Sequence, residues 1–292
     1  MLDLIVRLER PLERGDDAPA VTRAGAGGQA ANVAAWAAAL GAQTRLIAKW
    51  GSDTPGRLVA AEVGARRVEV LGPMGRGRNG VVVSIVDPDG ERSMISDPGV
   101  APELSPDELK PEWFAGCDAI YLSGYALLRS PADEAVAAAA RAVHEVGGVV
   151  SVDLSTWTAI RAHGAERFLA KVEALEPDVV FGNEEELEEL GATPKAGTVV
   201  LKRGPAGAVV ITGDVRDAHD APVCDAVDTT GAGDVFRAGF IYAALRGDRP
   251  PDILRFACAA AAVSCTRNGA MKAVPSLEDV NALLSPSAPL VP

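Results

Sequence analysis

Cysteine is scarce in this chain, and the cysteines lie far apart. The 292 residues include four, at Cys117, Cys224, Cys258 and Cys265, and no two form a Cys-x-x-Cys pair. This scatter argues against a disulfide framework and against a structural zinc site. We therefore expect free thiols and a cytoplasmic protein.

Basic charge is also in deficit. Lys and Arg number 28 against 40 Asp and Glu, and the formal net charge is −12. Such acidity argues against binding to nucleic acid or to acidic membranes. No apolar run reaches membrane-spanning length, and the stretch from Met1 to Pro11 lacks a basic-then-apolar signal pattern. We expect no nucleic-acid partner and no membrane partner.

Two common nucleotide-binding motifs are absent. No Gly-x4-Gly-Lys-Ser/Thr string occurs, which excludes a P-loop kinase. No Gly-x-Gly-x-x-Gly follows the first strand, which argues against a dinucleotide-binding dehydrogenase. Aromatic residues are only 4% of the chain, which mildly favours a plain sugar over a nucleoside as ligand, because bases stack on aromatic rings.

Apolar residues, by contrast, make up 48% of the chain, enough for one large α/β domain or two smaller ones. Strands are predicted over 119–122, 149–153, 179–182, 199–202, 208–212 and 224–227. Helices are predicted over 130–147, 165–175, 184–190, 235–245, 251–266 and 277–284. The alternation indicates an α/β fold with a mostly parallel central sheet and helices on both faces.

The N-terminal part departs from this alternation. Helices are predicted over 29–40 and 53–64, and strands over 3–9, 18–24, 44–49, 67–71, 80–86 and 91–96. Asp87-Pro88-Asp89-Gly90 is a hairpin signal between the last two strands. We interpret the strands within 3–24 and 80–96 as a small β-sheet lid, inserted in a single domain of residues 1–292.

The most informative stretch runs from Val227 to Phe236 and reads VDTTGAGDVF. Gly231 and Gly233 allow the backbone to approach a ligand, and the helix that follows offers free N–H groups to an anion. Asp234 lies inside this anion site, where a carboxylate is useful if it accepts a proton from an attacking hydroxyl. An Asp that stabilises a helix dipole is the simpler alternative.

A second stretch reads GGQAANVA from Gly27 to Ala34. Two glycines before a helix permit close approach of a ligand, and Asn32 offers both a donor and an acceptor to hydroxyl groups. Taken alone, this stretch also fits an ordinary loop-to-helix junction.

Together the two stretches resemble the N-terminal and C-terminal signatures of the ribokinase-like (PfkB-type) carbohydrate kinases. The resemblance implies a ribokinase-like fold and ATP as co-substrate. It assigns Gly231, Ala232 and Gly233 to the hole that steadies the transferred phosphoryl group, with Asp234 as the catalytic base. It also assigns Gly27, Gly28 and Asn32 to the sugar hydroxyls.

Asp3 matches the acidic residue that binds sugar hydroxyls in this family, although a solvated terminal Asp is the alternative. Family members have a full strand before that residue, whereas here only Met1 and Leu2 precede it. Either the start is assigned too late or the sheet lacks a strand, and we expect the former.

The string that begins Gly182-Asn183 and continues to Glu186 resembles the family's Asn-x-x-Glu motif. The resemblance makes Asn183 an ATP-side residue and Glu186 a ligand of Mg²⁺ through water, as one or two carboxylates suffice for that ion. A solvated acidic helix start is the alternative.

Further residues are assigned to the nucleotide side by the same resemblance. Lys202 and Gly204 would lie beside the ATP phosphates, although a surface lysine at a strand end is an equal alternative for Lys202. The remaining candidates are Thr229 and Asn268 for ATP, and Asp228, Thr230 and Gly269 for a possible K⁺ ion.

Arg92 lies in the second strand of the lid hairpin. The resemblance allows it to reach the acceptor and meet a carboxylate, and a solvated arginine is the alternative.

The sequence thus predicts an ATP-dependent kinase for a sugar or sugar-like molecule, of the ribokinase or 2-keto-3-deoxygluconate kinase type. Alternatives are a nucleoside kinase for adenosine or pseudouridine, or a nucleotide-binding sensor without turnover. The intact Asp234 argues against a sensor. A homodimer formed through the lid is expected from the resemblance, and an exposed apolar lid face would support it.

Overall fold

The computed structural model describes residues 1–15, 17–267 and 275–285. Its fourteen strands, within these residues, are β1 (Leu2–Leu8), β2 (Ala20–Ala26), β3 (Thr44–Ile47), β4 (Trp50–Gly51), β5 (Val68–Leu71), β6 (Met74–Gly75), β7 (Val81–Val86), β8 (Arg92–Asp97), β9 (Ala119–Ser123), β10 (Val149–Asp153), β11 (Val179–Asn183), β12 (Thr198–Lys202), β13 (Ala208–Thr212) and β14 (Val215–His219).

The α-helices of the same residues are α1 (Gln29–Leu40), α2 (Thr54–Gly64), α3 (Ala132–Glu145), α4 (Trp157–His163), α5 (Ala165–Glu173), α6 (Glu184–Leu190), α7 (Ala232–Leu245), α8 (Pro250–Cys265) and α9 (Leu277–Leu284). None of them is long and apolar enough to cross a membrane.

The main sheet has six strands in the order β14-β13-β12-β11-β10-β9. β9 to β12 are parallel, whereas β13 and β14 are antiparallel additions at one edge. The side chains of successive residues in one strand point to opposite faces of the sheet. Val180 packs with α3 and α5, whereas Phe181 packs with α7 and α8, where its ring meets Phe240 edge to face. The predicted mostly parallel sheet with helices on both faces is confirmed.

A second sheet of four strands, in the order β2-β1-β7-β8, forms the lid. The hairpin turn predicted between β7 and β8 is present, since the Gly90 N–H donates to the Asp87 carbonyl at 2.9 Å and Gly90 has φ of 90°. The register between these strands places Asp3, Arg7, Arg23 and Arg92 on one face of the lid, which we call the inner face.

A cavity of about 700 Å³ lies between β3 and β9, lined mainly by apolar side chains of α1, α3 and α7. Within the described residues, β3 pairs only with β5, and β9 pairs only with β10. No strand from this part of the chain lies between them. The short β3–β5 sheet is therefore separated from the main sheet by this cavity.

The strand predicted over 224–227 is wrong, because those residues form an irregular segment. The N–H groups of Val227 and Asp228 both donate to the carbonyl of Cys265, at 2.8 and 3.1 Å, rather than to a neighbouring strand. Four elements were not predicted: α4, the two-residue strands β4 and β6, and the exposed edge strand β14.

Candidate active site

The two signature stretches meet at one hydrogen bond. Asp234 lies in the first turn of α7, and Asn32 lies near the start of α1. The amide Nδ2 of Asn32 donates to Oδ2 of Asp234 at 2.7 Å. Asn32 is buried, and its Oδ1 has no hydrogen-bond partner. A buried acceptor without a donor is costly, so this atom fits a ligand hydroxyl that donates to it.

The turn before α7 contains two glycines that differ in conformation and surroundings. Gly231 has φ of 81°, in the left-handed region, and it is the N-cap of the helix. Gly233 leaves room beside Arg237, because a Cβ there would lie 3.2 Å from Nη1 of that side chain, closer than an ordinary van der Waals contact. The Ala232 N–H donates to the Thr229 carbonyl at 3.2 Å, so an anion bound at this turn would meet the N–H groups that follow it, those of Gly233 and Asp234.

Asp3 reaches the same place from β1 of the lid. A Cβ built on Gly27 would lie 1.9 Å from Oδ2 of Asp3, so only glycine admits this carboxylate. Gly28 has φ of 92° and begins α1. Burial raises the pKa of Asp3 to about 6, the N-terminal amine opposes the rise, and Asp234 adds to it.

Asp234 also has a raised pKa, because burial disfavours its ionised form. The guanidinium of Arg237 and the hydrogen bond from Asn32 oppose that rise. The base predicted from the sequence is therefore a buried carboxylate whose ionised form depends on two neighbours.

Arg237 and Asp153 were not singled out from the sequence. Nη1 of Arg237 donates to Oδ1 of Asp234 at 2.7 Å, and its Nε donates to Oδ2 of Asp153. Arg237 interrupts the apolar run of α7, and Asp153 ends a buried apolar strand. A charged residue within a buried apolar pattern was the available signal for both.

Asp153 is fully buried at the carboxyl end of β10 and accepts several hydrogen bonds. Gln29 Nε2 and the Ser155 N–H donate to its Oδ1, at 2.9 and 2.8 Å, and Lys202 Nζ donates to its Oδ2 at 2.9 Å. Burial acts to raise the pKa of Asp153, but Arg237 and Lys202 outweigh it and the net pKa is lowered. Ser155 has φ of 74°, an unusual conformation held by its bonds to Asp153 and Gln29.

The predicted nucleotide-side residues lie at the same edge of the sheet. Lys202, at the end of β12, points inward, with 14% of its side chain exposed and Nζ 4.0 Å from Oε2 of Glu186. Asn183 and Glu186 form a capping box at the start of α6, each side chain bonding the other's N–H group, at 2.7 and 2.9 Å. The side-chain oxygen of Asn183 is thus engaged by the helix.

Glu186 is the one predicted Mg²⁺ ligand on this side, and it is 3% exposed. Burial raises its pKa, and Lys202 opposes the rise. No group of three or more His, Cys, Asp or Glu residues that could enclose a metal ion occurs in the described part of the chain. A single carboxylate fits Mg²⁺ that is held mainly by phosphates and water.

Asp228 and Thr230, the predicted K⁺-site residues that the structure describes, lie in the turn that precedes α7. Asp228 Oδ1 accepts the Thr230 N–H at 2.9 Å, and two lid arginines lie over this turn. Arg7 and Arg92 lie 3.5 and 3.6 Å from the carboxylate of Asp228, and Arg92 also donates to the Thr230 hydroxyl. The inner face of the lid therefore contacts the turn that precedes α7.

Two predicted ATP-side residues, Thr229 and Gly204, are not brought into this cluster. Thr229 is exposed, and its carbonyl accepts the Ala232 N–H at 3.2 Å. Gly204 has φ of 56° and begins a short 3-10 turn after β12. Asn268, and with it Gly269 of the predicted K⁺ site, lie outside the described residues.

Comparison with known proteins identifies the family. The sequence pattern of the pfkB family carbohydrate kinases matches residues 1–277. The chain belongs to this family. The matched residues include both signature stretches, the lid and the main sheet. The chain is therefore an ATP-dependent sugar kinase.

Among similar proteins, the ATP-dependent ribose-1-phosphate kinase of Halopiger xanaduensis is 32% identical, over 97% of this kinase and 95% of that protein. The aminoimidazole riboside kinase of Salmonella typhimurium is 30% identical, over 89% and 88%. Among solved structures, Arabidopsis thaliana ribokinase with ribose and ATP is 27% identical with a TM-score of 0.79, over 98% and 96%. The ribokinase-like fold is thereby confirmed.

Proposed function

We propose that this kinase transfers the γ-phosphate of ATP to a hydroxyl of a sugar or sugar-like acceptor, with Asp234 as the base. The observation that carries the proposal is the 2.7 Å hydrogen bond between Asn32 and Asp234. It joins the residue suited to hold an acceptor hydroxyl to the residue suited to deprotonate one. Asp3 lies on the same side, so three oxygen-bearing side chains converge on one point.

The reaction follows from this placement. Asp234 takes the proton of the hydroxyl as its oxygen attacks the γ-phosphorus, and the bond from that phosphorus to the bridging oxygen breaks to release ADP. N–H groups of the turn from Gly231 to Gly233 stabilise the charge that develops on the transferred group. Mg²⁺ on the ATP phosphates would add to this stabilisation, held through water by Glu186.

The positive charges of the lid favour an acceptor that carries an anionic group. Three arginines lie on its inner face, Arg7, Arg23 and Arg92. Two of them, Arg7 and Arg92, already form ion pairs with the carboxylate of Asp228. Guanidinium groups bind phosphate and carboxylate through paired hydrogen bonds. The similarity to a ribose-1-phosphate kinase favours a pentose phosphate, and the similarity to a riboside kinase keeps a nucleoside as the second candidate.

An acceptor panel tests this proposal. ADP and phosphorylated product are measured with ribose, ribose-1-phosphate, fructose, 2-keto-3-deoxygluconate, adenosine, pseudouridine or no acceptor, with and without Mg²⁺ and K⁺. We expect Mg²⁺-dependent turnover with one anionic acceptor, and we expect Arg92→Met to raise the KM for that acceptor more than the KM for ATP. ATP binding without turnover on any acceptor would contradict the proposal.

We also propose a cytoplasmic homodimer. The four cysteines are free thiols, as suits a reducing compartment. The outer face of the lid, opposite the arginines, carries Leu4, Val6, Val83 and Ile95, which are partly or largely exposed. An apolar sheet face of this kind is suited to pair with a second copy of itself.

A further inference from the structure

The guanidinium of Arg237 lies between two buried carboxylates. It is bonded to Asp234 on one side and to Asp153 on the other, and only 7% of its side chain is exposed. Burying a charged arginine in the middle of an apolar helix is costly unless its partners compensate it fully. The inference below rests on the proposed role of Asp234 as the base.

The planar guanidinium makes this contact specific. Nε and Nη1 donate in fixed directions, so one rigid group determines how the carboxylates of Asp153 and Asp234 lie relative to each other. With Asn32 holding the other oxygen of Asp234, the base has one donor on each carboxylate oxygen and little freedom to rotate.

Asp153 is itself immobile. Gln29 at the start of α1, the backbone of Ser155 and Lys202 at the end of β12 all bond it, in addition to Arg237. Its position is therefore fixed by elements on both sides of the site. An arginine tied to such an anchor can hold a third group in place.

We propose that Arg237 is a positioning residue for the base: it fixes the orientation of Asp234 and favours its ionised form, and Asp153 acts by holding Arg237. The same guanidinium lies against Gly233, where a Cβ would be 3.2 Å away. The guanidinium therefore lies directly beside the first turn of α7.

The charges around Asp234 determine how the loss of each neighbour changes the pKa of Asp234. The titratable and polar groups that face it from the surrounding elements are Asp3 of β1, Asn32 of α1, Tyr121 of β9, Tyr125 after β9, Asp153 of β10, Lys202 of β12 and Arg237 of α7. Without Arg237, Lys202 is the one cation that offsets the carboxylates in this set. The pKa of Asp234 should then rise, whereas loss of the Asp153 charge should lower it.

The test is the pH profile of kcat/KM in three variants. Arg237→Met should lower kcat at pH 7 about 100-fold and move the acid limb up by about one pH unit, with activity partly recovered at higher pH. Arg237→Lys keeps the charge without the fork, so kcat should fall about 10-fold with the limb near its original place. Asp153→Asn should lower kcat and move the limb to lower pH.

If Arg237 and Asp153 only supported the fold, neither substitution would move the acid limb of the pH profile. Shifts of this limb in opposite directions in Arg237→Met and Asp153→Asn therefore identify positioning of the base. KM for the acceptor should change less than about twofold in all three variants, because Arg237 is not placed on the acceptor. Arg249→Met is the matched control, since Arg249 is 83% exposed and pairs with Asp252. It should leave kcat and the limb unchanged.

ATP binding and circular dichroism establish that each variant is folded. If Arg237→Met does not fold, Arg237→Lys and Asp153→Asn decide. The inference would be overturned by folded variants whose kcat and acid limb are unchanged. It would also be overturned if the acceptor KM rose while kcat stayed unchanged. In both cases the proposed function would stand. Absence of turnover in the unmodified protein would instead overturn the proposed function, and with it the base on which this inference depends.

Discussion

At the scale of residues, the site depends on two carboxylates that burial affects in the same direction. Burial raises the pKa of Asp3 to about 6 and also raises that of Asp234. Asp234 has Arg237 and Asn32 bonded to it, whereas Asp3 has the N-terminal amine nearby as its main opposing charge. Asp3 should therefore titrate within the range in which the enzyme can be assayed.

We predict that the acceptor binds more tightly as pH rises through 6. Ionised Asp3 accepts hydrogen bonds from hydroxyl groups, and protonation removes that capacity. At pH 5 the dissociation constant should be higher than at pH 7.5 by up to about 10-fold. Calorimetry in the Asp234→Asn background measures this with the second carboxylate neutralised. The additional Asp3→Asn change should abolish the pH dependence, and a dependence that survives it would contradict the prediction.

The candidate residues that could be named from the sequence were those with a local signal. Asp234 and Asn32 lie in glycine-containing strings whose chemistry can be interpreted without a partner. Arg237 and Asp153 were missed because their role depends on a contact between β10 and α7, distant in sequence. Asn183 and Glu186 were predicted as nucleotide-side residues, and their mutual capping bonds show a structural role that the local pattern also allowed.

At the scale of elements, the local sequence pattern predicted a helix or strand correctly where the element forms its own hydrogen bonds. α2 begins after Asp53, whose side chain accepts the Gly56 N–H at 3.0 Å, as the cap and the early proline predicted. The predicted strand over 224–227 failed because Val227 bonds the end of α8 instead. β14 was missed because an exposed edge strand of polar residues has no apolar alternation.

The lid leads to a prediction at this scale. If its outer face pairs two copies, Ile95→Lys should convert a dimer to a monomer, because Ile95 is 60% exposed on that face and a buried lysine would lack a partner. Sedimentation velocity over a concentration series measures this. Met94→Lys is the matched control, since Met94 is 65% exposed on the same strand but belongs to the inner face. A dimer that tolerates Ile95→Lys would contradict the prediction.

At the scale of the whole molecule, the candidate active site lies at the carboxyl ends of the parallel strands of the main sheet. Asp153, Asn183 and Lys202 end three neighbouring parallel strands, and the lid covers the same edge. Ligands of open α/β sheets bind outside the carboxyl ends of the strands. The net charge of −12 gave no indication of this site, because its cations are few and locally concentrated.

The fold class could be predicted from alternating strands and helices, and the lid from its hairpin. The cavity of about 700 Å³ between β3 and β9 could not, since it depends on how separate elements are spaced in three dimensions. The same holds for the approach of the lid arginines to Asp228.

The most direct test of the central claim is turnover in Asp234→Asn, measured with the best acceptor of the panel and saturating ATP. The substitution keeps the size of the side chain and removes its ability to accept a proton as a carboxylate. We predict a kcat lower by roughly 10³-fold, with the fold retained and with ATP and acceptor still bound. Near-normal turnover in this variant would contradict the account, because Asp234 could not then be the base.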